Sequence, residues 1–138
     1  MTAYIDSSVL LRKLLKQEKD LPSMDQWRDA ITSTLTIVEC RRSIDRSRIL
    51  HLLNDEEMAT SLGGLREMVA SLQRVDLTEN VLEKASESYP TTLGALDAIH
   101  LATALLWREG ANRELIFLTH DRQQGLAAKA LGFRVEGI

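Results

Sequence analysis

Thr2-Ala3-Tyr4-Ile5-Asp6-Ser7-Ser8-Val9-Leu10-Leu11 reads as a short strand that ends on an acid and turns directly into a helix. Residues 2–5 suit a buried strand, Ser7 and Ser8 are candidate N-caps, and Val9, Leu10, Leu11, Leu14 and Leu15 recur at helical spacing. The same strand-then-helix order repeats downstream. A short helix is expected over residues 21–29, opening at Pro22 or Ser23, then a β-branched strand at 31–35 and a helix starting at Thr36. An amphipathic helix follows over about 54–72, with Gly63-Gly64 as a weak point or break. Residues 74–77 read as a third strand, and Thr78 caps a helix to about 88 that Tyr89-Pro90 ends. The remaining units are a helix over 95–107, a strong apolar strand at 115–119, a helix over 123–131 stopped by Gly132, and a last strand at 133–136. Alternation without tight hairpin signals predicts a three-layer α/β/α fold around a central parallel β-sheet. In such folds ligands sit outside the carboxyl ends of the strands.

Bulk properties narrow the function. At 138 residues, 44% hydrophobic and 27% charged, the chain fits one folded domain spanning 1–138. Cys40 is the sole cysteine, which excludes an internal disulfide and suits a reducing compartment. The opening residues show no basic-then-apolar leader, and no stretch approaches the ~18 apolar residues of a membrane span, so a cytoplasmic protein off the membrane is expected. The net charge of −3 argues against a nucleic-acid coater working through a positive field. That objection eases if the negative charge is gathered in a pocket whose sign a divalent cation reverses.

Four acids fall where such a pocket would form. Asp6 closes the first strand, Asp121 follows the 115–119 strand, Glu39 is expected in the first turn of the helix from Thr36, and Asp97 in the first turn of the helix from Ala95. Helix capping explains three of them individually, Thr36-Ile37-Val38-Glu39 fitting the capping-box pattern. Asp97 is harder to explain so. Over residues 95–106 only Asp97, His100 and Thr103 are polar, at steps of three, forming one narrow stripe on an apolar helix. A carboxylate there needs a partner, which could be His100, a backbone amide or a metal. If the sheet gathers all four acids, their repulsion calls for a cation. Oxygen-only ligands, with no Cys/His cluster at zinc spacing, point to Mg²⁺ or Mn²⁺ and to phosphoryl chemistry.

Tyr4-Ile5-Asp6-Ser7-Ser8-Val9-Leu10, Thr36-Ile37-Val38-Glu39-Cys40-Arg41-Arg42, Leu96-Asp97-Ala98-Ile99-His100-Leu101-Ala102-Thr103-Ala104 and Leu118-Thr119-His120-Asp121, in this order and over the whole chain, resemble a PIN domain. Within that family the chain is similar to VapC-type ribonuclease toxins of type II toxin–antitoxin systems. The resemblance implies endonucleolytic cleavage of structured RNA at a Mg²⁺/Mn²⁺ site made by Asp6, Glu39, Asp97 and Asp121. It places Ser8 and Thr119 where the family has small hydroxyl residues that hold ligands or waters; a plain N-cap also accounts for Ser8. Cys40 stands where an aliphatic residue is common, and His120 sits at a variable position. A cognate antitoxin and a homodimer are implied as partners. The antitoxin is expected on the helix pair over 36–72, at Leu50, Leu52, Leu53, Leu62 and Leu65.

Arg41, Arg42, Arg46 and Arg48 begin two residues after Glu39 and are candidates for RNA phosphates; a solvated helix face explains them equally. Trp27, Trp107, Tyr4 and Tyr89 are too few for a stacking platform and take no role. Three rivals remain. His100 and His120 could cut RNA by metal-free acid–base catalysis. A PIN nuclease could serve RNA processing instead of acting as a toxin. A phospho-acceptor signalling module also collects acids at strand ends, but Asp6 has no adjacent acid and no Lys follows the 115–119 strand.

Overall fold

The computed structural model describes residues 2–15 and 29–138. Among these residues five strands, β1 (Thr2–Ile5), β2 (Asp29–Ser33), β3 (Gln73–Val75), β4 (Ile116–Leu118) and β5 (Arg134–Glu136), form one all-parallel sheet in the order β3-β2-β1-β4-β5. Among the described residues six helices cover it: α1 (Ser7–Leu14), α2 (Leu35–Ile49), α3 (Asp55–Ser71), α4 (Glu79–Ala85), α5 (Ala95–Ala111) and α6 (Arg122–Ala130). This is the expected α/β/α architecture. The helix expected over 21–29, and Trp27 with it, falls on residues 16–28 and so lies outside the described residues, apart from Asp29, which opens β2.

The strand period of two divides the core. On β1, Ala3 and Ile5 face one side, packing with Val9 and Leu10 of α1, Cys40 and Ile44 of α2 and Leu65 of α3. Tyr4 faces the other side, with Leu101, Ala104 and Leu105 of α5 and Ala127 and Ala128 of α6. β4 alternates likewise, Ile116 and Leu118 against the first layer and Phe117 against the second. Phe117 lies between Tyr4 and Phe133, at centroid separations of 5.2 and 5.7 Å. Such aromatic pairs add about 0.5–1.5 kcal/mol each beyond area burial.

The elements depart from sequence expectation in instructive ways. β2 begins and ends two residues earlier than expected, because its register is set by pairing Thr2 with Asp29 and Ile31 with Gln73. In consequence α2 starts at Leu35, whose N–H is taken by the Ser33 hydroxyl at 3.1 Å. The Thr36 capping box does not form: the Thr36 hydroxyl is buried against that of Thr32 at 2.7 Å. Glu39 therefore stands at the fifth helical position, beyond the first turn, and is free of capping duty. α3 runs unbroken through Gly63-Gly64; a Cβ at Gly64 would stand 3.0 Å from a Leu14 methyl, so glycine there lets α1 and α3 approach. α4 stops at Ala85, short of residue 88.

The apolar positions expected to meet a partner also divide. Leu50, Leu52 and Leu62 are exposed, whereas Leu65 is buried and Leu53 packs against the core. Among the described residues no helix is long and apolar enough to cross a membrane.

Candidate active site

The sheet order reverses between β1 and β4, and the chain leaving each strand there carries an acid. Asp6 follows β1 and caps α1, its backbone N–H donating to Leu118 O at 3.0 Å. Asp121 lies beyond β4 and caps α6, its Oδ1 accepting from Gln124 N at 2.8 Å. Neighbouring crossovers diverge at such a point and leave a crevice at the carboxyl end of the sheet. α5 brings Asp97 in its first turn and α2 brings Glu39 from the opposite layer.

Asp6, 3% exposed, is tightly held. Its Oδ2 accepts from Ser8 Oγ at 2.6 Å and Ser8 N at 3.2 Å, with Thr119 Oγ1 also 3.2 Å away. Ser8 Oγ in turn accepts from His120 N at 3.0 Å, and Thr119 Oγ1 accepts from Asp121 N at 3.0 Å. The two hydroxyls thus tie the loops after β1 and β4 together, besides any capping role of Ser8. Thr119 Oγ1 also lies 2.7 Å from Oε1 of Gln124, a fully buried residue whose Nε2 donates to Asp97 O at 3.4 Å. Gln124 was not singled out from the sequence. Its position three residues after the N-cap Asp121 matches the capping-box pattern and was the available signal, although its side chain turns to Thr119.

Asp97 is half-buried, and among the described residues nothing donates to its carboxylate. Burial raises its pKa from 3.8 to about 6, helped by the negative charges of Asp121, Asp6 and Glu39 and opposed by His100. Asp97 therefore lies in the field of the other three acids. The four are not closed on a point: among the described residues no three His, Cys, Asp or Glu side chains are already gathered as a metal-ligating group. What Glu39 faces instead is His100, whose Nε2 is 2.5 Å from Glu39 Oε1 and 3.4 Å from Asp6 Oδ1. Burial works to lower the His100 pKa, but the Glu39 hydrogen bond and the charges of Asp6, Glu39 and Asp97 outweigh it and raise it. His100 is bonded to Glu39 and lies close to Asp6, and it makes no hydrogen bond to Asp97, although the two share one stripe of α5. Its full burial also removes it from any substrate, while His120 Nδ1 is engaged with Gly137 O at 2.9 Å. Tyr4, given no role from sequence, bonds His100 Nδ1 through its hydroxyl at 2.6 Å.

The four arginines of α2 are all exposed but do not form one cluster. At 100° per residue, Arg42 and Arg46 share the side of Glu39, and Arg41 and Arg48 lie around the helix from it. Arg48 is paired with Asp45 at 2.8 Å, with Arg42 at 3.9 Å from the same carboxylate.

Comparison with known proteins finds the PIN domain profile over residues 3–130. The chain is 34% identical over 139 residues to ribonuclease VapC47 of Mycobacterium tuberculosis (strain CDC 1551 / Oshkosh), covering 94% of this chain and 92% of that protein. It is 30% identical over 134 residues to ribonuclease VapC35 of the same organism, covering 96% and 93%. Among solved structures it resembles a chain of a toxin–antitoxin complex from Klebsiella pneumoniae, with a TM-score of 0.58, 20% identity, and coverage of 97% of this chain and 95% of that one.

Proposed function

This chain belongs to the PIN-domain family, on its VapC branch, and from that premise we propose that it is a Mg²⁺- or Mn²⁺-dependent endoribonuclease of the cytoplasm, one domain over residues 1–138, and the toxin of a type II toxin–antitoxin pair. The observation that carries the reading is Asp97: a half-buried carboxylate with no donor among the described residues, in the field of three further acids at the carboxyl end of a parallel sheet. Relatives that align over more than nine-tenths of their length are named ribonucleases, which gives the phosphodiester of RNA as the bond attacked.

The residues fit a hard divalent cation in donor chemistry and in charge. Asp6, Glu39, Asp97 and Asp121 offer only oxygen, and their mutual repulsion is what a cation would offset. When bound, Mg²⁺ or Mn²⁺ supplies positive charge against the phosphodiester and a lowered pKa for water. The chain's own residues set the geometry. Ser8 and Thr119 fix Asp6, the α6 N-terminus fixes Asp121, and among the described residues nothing donates to the Asp97 carboxylate. Water is then the nucleophile, and no side chain need attack. Arg42 and Arg46, on the Glu39 side of α2, receive the phosphates of structured RNA leaving the crevice. Arg41 and Arg48 meet flanking phosphates at longer range. The exposed Leu50, Leu52 and Leu62 on the α2–α3 pair offer an apolar face for the antitoxin, as the likeness to a toxin–antitoxin complex supports, and the active toxin is a homodimer.

Induction of the chain alone, with and without Asp6→Asn, followed by sequencing of RNA 5′ ends, tests activity and target together. Discrete cleavage sites that vanish in the variant are expected. Equal cleavage by a folded Asp6→Asn protein supplied with Mg²⁺ would refute the assignment.

A further inference from the structure

His100 is fully buried, polar and one helical turn beyond Asp97, yet it touches neither solvent nor any candidate substrate path. Its contacts join three elements. Nδ1 lies 2.6 Å from the hydroxyl of Tyr4 on β1, and Nε2 lies 2.5 Å from Oε1 of Glu39 on α2, with Asp6 Oδ1 at 3.4 Å. An ionised carboxylate can only accept, so the proton between His100 and Glu39 is carried by Nε2. Tyr4 brings a hydroxyl, which carries a proton of its own. Its hydroxyl can therefore donate to Nδ1 and leave Nε2 as the protonated nitrogen.

The acids differ in how they are held. Asp6 has Ser8 from its own helix N-terminus and Thr119 from the loop after β4, and Asp121 has Gln124 N from its own helix N-terminus. Glu39 stands mid-helix on a longer side chain, and among the described residues His100 is the only donor that reaches it. We propose that His100 is the positioning residue that aims Glu39 at the divalent cation, and that Tyr4 sets its orientation. The proposal rests on the metal-dependent reading above. Groups that orient a metal ligand in this way typically contribute ~10–100-fold in metal affinity.

The test is Mn²⁺ titration by calorimetry of wild type, His100→Leu, His100→Gln, Tyr4→Phe, Glu39→Gln and the His100→Leu/Glu39→Gln double variant, with circular dichroism to verify folding. His100→Leu should weaken Mn²⁺ binding by about tenfold or more. The Gln amide can place an N–H where Nε2 stood, so His100→Gln should recover most of that affinity. Tyr4→Phe should weaken binding by a smaller factor, and the double variant should bind no more weakly than Glu39→Gln alone, since His100 acts through Glu39. Unchanged or tighter binding in folded His100→Leu, or losses that simply add in the double variant, would overturn the proposal while leaving the metal-dependent reading intact. Should His100→Leu fail to fold, His100→Asn, whose amide stops short of Glu39, replaces it, and wild-type affinity there overturns the proposal equally. Wild-type protein that binds no Mn²⁺ overturns the underlying reading and this proposal with it.

Discussion

Replacing Asp97 by Asn should make the metal-free protein more stable at pH 8, although it removes a proposed ligand. The Asp97 pKa rises from 3.8 to about 6 on folding, through burial first and then the charges of Asp121, Asp6 and Glu39. Between those two values the folded chain holds a proton that the unfolded chain has lost. Stability therefore falls as pH rises through that window, and the full penalty is in place above about 6. At ~1.36 kcal/mol per pH unit the window is worth about 3 kcal/mol, and partial exposure of the group reduces this to about 1.5–3 kcal/mol. Asn keeps the size and loses the charge. In a domain of this size that corresponds to a Tm gain of about 5–10 °C at pH 8. The gain should shrink to about a third at pH 4.5, where the wild-type carboxyl is mostly protonated. Differential scanning calorimetry in EDTA measures both. Millimolar Mn²⁺ should then raise the Tm of wild type and barely move Asp97→Asn, narrowing the gap from the other side. An Asp97→Asn protein that melts below wild type at pH 8, or a gain that is constant with pH, would show that Asp97 is not held in a repulsive acidic field.

Other perturbations address the rest of the site. Ser8→Ala removes the 2.6 Å hydrogen bond to Asp6 and the acceptor for His120 N, so kcat for RNA cleavage should fall by about tenfold while denaturant stability drops only ~1 kcal/mol. Arg42→Ala and Arg46→Ala should each raise KM and reduce the salt slope of RNA binding by ~0.7, with Arg48→Ala, whose guanidinium is engaged by Asp45, showing a smaller change. Gly137 has φ +105 and packs on the Thr119 carbonyl, where a Cβ would collide. Gly137→Ala should therefore cost about 1–3 kcal/mol in urea unfolding and impair cleavage by displacing the loop that carries Thr119 and Asp121. Wild-type behaviour would show that this loop tolerates displacement.

The fold was legible because its determinants are local. A strand of alternating contacts, an acid at its end and a helix with apolar spacing recur along the chain, and that alternation leaves few topologies besides a covered parallel sheet. Asp97 could be singled out because a charge on an apolar helix breaks a pattern visible without coordinates. Boundaries were less legible. Whether α2 begins at Leu35 or Thr36 is decided by strand register and by competition between the Ser33 and Thr36 hydroxyls, and that single residue moves Glu39 out of the first turn.

Residue order alone set the class of fold, the oxygen-only chemistry of the acids and the positions at which the chain would deliver them. Which side chains partner one another was settled by packing across the layers. His100 sits three residues from Asp97 in sequence but bonds Tyr4 and Glu39, 96 and 61 residues away, and buried Gln124 reaches back to Thr119 and Asp97. The physical reason is range: spacing along a helix or strand fixes which face a side chain occupies, whereas hydrogen bonds across layers depend on how neighbouring strands are ordered and how far each crossover carries its helix.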